Sequence, residues 1–138
     1  MDPQRRVVRR LLRFRPALML LISLGCSGDH PKYGVVVRNL TPNGITRAQV
    51  SYGQFRSIPA SLQRGRFSRY GLVPEPIPDQ ATVEWDTSDG LHHKKEVAVK
   101  PLLPARFSGE LIFRITEAGE VVVRGSTLGD ELSDRGSP

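Results

Sequence analysis

The sequence predicts an all-β fold, a small single-domain sandwich of six to seven strands placed after an N-terminal segment of different character. Three observations predict it. Apolar and polar residues alternate in several short windows, the period-two mark of a half-buried strand. Turn-forming clusters of Gly, Pro, Asn and Asp separate those windows at spacings of about ten residues. After position 26, no window of twelve or more residues shows a helical period.

The elements follow in chain order. "YGVVVRNL", starting at Tyr33, is rich in β-branched residues and stops at "TPNG", a turn signal. "ITRAQVSYGQF" sets Ala48, Val50 and Tyr52 on one face and Arg47, Gln49 and Ser51 on the other. Residues 54–80 hold four prolines and no sustained period. Within them "GRFSRYGLV" reads as a short strand and "PEPIPDQ" as a turn or polyproline-like crossover. "ATVEWDT" alternates Ala81, Val83 and Trp85 against Thr82, Glu84 and Asp86. Asp89-Gly90 then turns the chain, and "LHHKKEVAVK" returns with Val97 and Val99 as apolar teeth, completing a hairpin. "PLLPARFSG" is a second loop. "ELIFRIT" places Leu111, Phe113 and Ile115 together, "EAGE" turns, and "VVVR" is a last strand. The folded unit is then residues 33–124, and residues 125–138 form a small, acidic, disordered tail. Trp85, Phe113, Tyr52, Phe67 and the Val and Ile teeth are the expected core. In strand rhythm this unit resembles the immunoglobulin-like, fibronectin type III and transthyretin-like sandwiches of exported bacterial proteins. It lacks the Cys–Trp–Cys pattern of antibody domains.

The formal charge of +6 is unevenly spread. Residues 1–25 carry six arginines and one acid, whereas the other 113 residues carry 14 basic and 13 acidic side chains. The basic stretch "RRVVRRLLRFR" leads into the apolar stretch "PALMLLISLG", the layout of an export signal. The apolar stretch is half the ~20 residues a membrane-spanning helix needs. Its arginines suit the cytoplasmic side. "RRLL" resembles part of a twin-arginine signal, but its flanks do not complete that motif. If this segment is removed, the high pI says nothing about partners.

Cys26 is the chain's single cysteine, and it follows that apolar run. "ISLGC" resembles the lipobox of bacterial lipoproteins: Leu24 and small Gly25 precede Cys26, with Ser23 where leucine is commonest. The resemblance covers the first 26 residues. It implies cleavage after Gly25 and acylation of Cys26, which then begins the mature chain. A lone cysteine agrees, because it has no disulfide partner in a compartment where disulfides form. An ordinary cleaved signal with an incidental cysteine and an uncleaved anchor are the other readings. One acyl chain binds a bilayer marginally, whereas two or more anchor it stably. Ser27, standing where an aspartate would favour retention, implies the periplasmic face of the outer membrane in a host with two membranes. "SGDHPK" then reads as a tether within residues 26–32, its six residues reaching at most about 20 Å.

Little in the interior points to catalysis. His92 and His93 are adjacent, so on a strand they face opposite ways, and His30 sits in the tether. No metal-ligand spacing, nucleophile elbow or phosphate loop occurs, so no metal, cofactor or enzymatic activity is expected. Glu84 and Asp86 share one face of a strand and read as its solvated side rather than a carboxylate pair. Asn39-Leu40-Thr41 matches an N-glycosylation acceptor by chance. "RGRFSRYG" interleaves Arg64, Arg66 and Arg69 with Phe67 and Tyr70. An exported protein rarely meets nucleic acid, so this patch reads either as a basic surface for anionic headgroups or an acidic polymer, or as an ordinary strand.

The expected function is therefore a lipid-anchored protein of the bacterial cell envelope with a non-catalytic binding or accessory domain. Its contact surface would lie in residues 54–80, with an envelope protein or anionic polymer as partner. A periplasmic immunity or inhibitor lipoprotein that neutralises a toxin or enzyme is the alternative, and a small envelope enzyme comes third.

Overall fold

The computed structural model describes residues 32–104 and 107–126. The expected signal segment, Cys26, the expected tether up to residue 31 with His30, and residues 105–106 and 127–138 lie outside the described residues. Among those described, nine strands form: β1 (Tyr33–Asn39), β2 (Ile45–Tyr52), β3 (Phe55–Arg56), β4 (Ala60–Leu62), β5 (Phe67–Val73), β6 (Gln80–Thr87), β7 (His92–Ala98), β8 (Glu110–Ile115) and β9 (Val121–Ser126). A single 3-10 turn, Lys100–Leu102, joins β7 to β8.

The strands make two sheets, one ordered β5-β1-β8-β9 and the other β3-β2-β6-β7, with β4 also on β2. The chain is all-β, as the alternation predicts. The excess over seven strands comes from β3 and β4, which together act as one broken edge beside β2. Arg56 pairs with Ser51, and Ala60 pairs with Ala48. Pro59 has no N–H to donate in the gap between them. Ser57 bridges it: its N–H donates to the Val50 carbonyl at 2.9 Å, and its Oγ accepts from the Val50 N–H at 2.9 Å. Residues 54–80 are thus no long loop, and the support that a long loop lent to a binding role there falls away. Their longest run without a strand is 74–79.

β1 runs parallel to β8 and antiparallel to β5. It is central, and Val35, Val36 and Val37 are all fully buried. That continuous apolar run is what a strand covered on both faces requires. Immunoglobulin-type sandwiches place their first two strands in one sheet. Here β1 and β2 lie in opposite sheets, so that order is not followed.

The core lies between the sheets. Val35, Val37, Leu111, Phe113, Ile115 and Val123 face Ile45, Ala48, Val50, Val83 and Trp85. Phe67, expected in this core, is instead 41% exposed. β9 extends two residues past the expected boundary, so Gly125 and Ser126 belong to the domain rather than to a tail. A Cβ on Gly125 would come within 2.5 Å of the Phe107 ring, so only glycine lets that ring and Leu103 close over the strand.

The sandwich has two distinct ends. At the entry end, where the described chain begins, Tyr33 and Tyr52 join the two sheets through a 2.8 Å hydroxyl–hydroxyl hydrogen bond. Burial pushes both phenols above their ordinary range. The far end lies about 20 Å away along β1. There the buried Asn39 side chain ties the loops together. Its amide N–H groups donate to the Asn43 and Leu62 carbonyls, and its carbonyl oxygen accepts from the Thr41 N–H and hydroxyl. The glycosylation-like triplet is therefore a structural turn.

Candidate functional site

Three strands share one sequence pattern, three apolar residues followed by arginine: Val35–Arg38, Leu111–Arg114 and Val121–Arg124. Strand alternation sends alternate residues of each triplet into the core and turns the arginine outward. Register then assembles a surface on the outward face of the β5-β1-β8-β9 sheet. One row across it reads Phe67, Arg38, Arg114, Val122. The next reads Arg69, Val36, Ile112, Arg124. Four guanidinium groups thus frame two buried apolar side chains, on strands spaced about 4.8 Å apart. Arginine stems lie along apolar surface while their heads stay polar.

Glu110 is the one carboxylate that register places on this face among the described residues. Arg69 engages it with a fork, Nε to Oε1 at 2.6 Å and Nη2 to Oε2 at 3.1 Å. The Arg69 guanidinium also lies 5.5 Å from the centre of the Phe67 ring. Arg38 Nε is buried without a hydrogen-bond partner, a state that buried polar groups seldom hold.

The interior patch expected from the sequence divides. Phe67 and Arg69 lie on this face, whereas Arg66 stands in the turn before β5. Arg64 sits in the far-end turn, where Gly65 takes a φ of 75°, and pairs with Glu117 at 2.9 Å. Both partners are largely exposed, so that pair adds little stability. Tyr70 leaves the patch. It lies one residue out of step with Phe67 and Arg69, so it turns to the sheet's inner side, donates to the Ile58 carbonyl at 2.6 Å and meets the edge of Phe55. Arg38, Arg114 and Arg124 were missed. The repeated apolar triplet followed by arginine was the signal that could have found them.

Other polar groups are engaged in the sheets. His92 and His93 both lie on β7, facing opposite sides. His92 contacts Asp86 at 2.7 Å, and Arg47 holds the other oxygen of that carboxylate. Arg47, and to a lesser degree His92, keeps the Asp86 carboxyl below its usual range. Glu84 accepts from Gln49 at 3.1 Å and lies 3.5 Å from Lys94. Glu84 and Asp86 therefore form a half-buried polar ladder with their cross-strand partners rather than a carboxylate pair. His93 stacks on Trp85, with ring centres 5.0 Å apart and planes within 6°. This stack backs a far-end cleft of about 440 Å³ between the β1–β2, β6–β7 and β8–β9 loops. Among the described residues, no group of three or more His, Cys, Asp or Glu side chains is placed to hold a metal ion.

No protein-family model and no curated protein matches the chain. Among solved structures, the chain is similar to the NMR structure of a protein from Eubacterium rectale. The identity is 10% and the TM-score 0.48, over 72% of this chain and 92% of that one.

Proposed function

We propose that the protein is a lipid-anchored module of the bacterial cell envelope. In this reading its non-catalytic sandwich holds an anionic envelope polymer against the outward face of the β5-β1-β8-β9 sheet. The observation that carries the reading is the gathering of Arg38, Arg69, Arg114 and Arg124 on one face around Val36 and Ile112, where Glu110 is the one carboxylate that register places among the described residues. A flat face with guanidinium groups at strand spacing suits a polymer that repeats its charges, since arginine forks recognise carboxylate and phosphate bidentately. The signal segment and the lipobox-like "ISLGC" support the anchor. On that reading the basic face lies outside the cytosol, where nucleic acid is not the expected ligand.

Replacing Arg38, Arg69 and Arg124 together with serine tests the reading. Each basic side chain near an anionic surface contributes about 1 kcal/mol, so the triple variant is expected to bind an immobilised linear polyanion roughly 100-fold more weakly. A control variant, with Lys94, Lys95 and Lys100 replaced by serine, loses the same charge elsewhere and is expected to bind as the wild type does. Equal losses in the two variants would reduce the effect to net charge and remove the case for a specific face.

A further inference from the structure

The entry end carries a second feature that the binding face does not use. Leu72 is 70% exposed and holds a φ of 48°, a left-handed conformation that β-carbon sterics disfavour for leucine. It sits at a register irregularity between β5 and β1, next to Val73, the partner of Tyr33. Leu102 is 61% exposed on the 3-10 turn. That turn is held at the same end, because the Val99 and Lys100 N–H groups donate to the Asp79 and Pro78 carbonyls just before β6. Exposed Pro74, Pro76, Pro101 and Pro104 flank the two leucines. Among the described residues, exposed Lys32, Arg56 and Lys100 stand at this end with Asp79 and the half-buried Glu75 and Glu110.

Water gives nothing back for a strained, exposed leucine, which directs attention to what covers it. The described chain begins at Lys32, six residues past Cys26, and enters β1 at this same end. We infer that Leu72 and Leu102 dip into the lipid interface beside the anchor and so stand the sandwich upright on the bilayer. This inference rests on the acylation of Cys26 in the reading above. It adds an orientation: the far-end cleft and the Arg64–Arg66 turn point away from the membrane. The basic sheet face stands on the flank, open to a polymer in the aqueous space.

The test uses the full protein purified from membranes and returned to phosphatidylcholine vesicles. Leu72→Cys, Leu102→Cys and, at the far end, Ala118→Cys are each reacted with an environment-sensitive maleimide fluorophore. An acylated Cys26 has its sulfur tied up as a thioether, so the wild type takes no label. Labels at 72 and 102 are expected to emit to the blue, and nitroxide lipids are expected to quench them several-fold more than the label at 118. Equal, water-like emission at all three positions, with the wild type unlabelled, would overturn the docked orientation and leave the anchor standing. A wild type that takes label at Cys26 would overturn the anchor, and the docked orientation with it.

Discussion

Trp85→Ala is expected to remove a third or more of the stability of the domain. The indole is 1% exposed, sits on the inner face of β6, and carries the stacked His93 ring. Removing it opens a cavity between rigid sheets that cannot collapse to fill it, at a cost of about 3–5 kcal/mol. A domain of this size holds roughly 5–14 kcal/mol in total, at about 0.05–0.15 kcal/mol per residue. With a urea dependence of about 1–2 kcal/mol/M, the unfolding midpoint should fall by about 2 M or more. Phe67→Ala is the control. The same aromatic class on the outward face should cost about 1 kcal/mol or less, because its ring remains half in water. Equal losses at the two positions would contradict the packing described.

Asn39→Ala should be nearly as costly, for a different reason. The side chain uses both amide hydrogens and both carbonyl lone pairs, and it is fully buried. Alanine leaves the Leu62 carbonyl and the Thr41 N–H without their partner, and each buried orphan costs about 1–3 kcal/mol. A total loss of about 3 kcal/mol is expected, again from urea unfolding. Hydrogen exchange should accelerate at Thr41 and spare the entry-end pairs between β1 and β5. Asn39→Asp should not rescue the site, because it replaces two donors with an acceptor facing carbonyl oxygens. A variant as stable as the wild type would show that the far-end loops hold themselves.

What the sequence revealed follows from how local each signal is. The inward positions of Trp85, Phe113 and Val50 follow from alternation within one strand, and alternation needs no knowledge of partners. The pairing of β1 with β8 joins residues more than seventy positions apart, and no window of sequence carries it. That pairing sets Arg38 beside Arg114, so the basic face became visible only with the register. Tyr70 stands apart from the patch for a simpler reason. Parity along β5 separates it from Phe67 and Arg69, and composition alone does not carry parity. The strand break at Ser57–Pro59 and the left-handed Leu72 depend on a side-chain hydrogen bond and a local irregularity of pairing, which leave weak traces in composition. The Gly125 contact with Phe107 was hidden in the same way, because a glycine late in the chain reads as the start of a tail until the ring that needs it is seen.

The most direct check of the whole account is the intact mass of the protein recovered from membranes of a host that carries lipoprotein-processing enzymes. The account predicts a chain that begins at residue 26 and is heavier than its peptide by a diacylglyceryl group, with or without a third acyl chain. A chain that begins at Met1, with a free thiol at Cys26 and found in the soluble fraction, would contradict it.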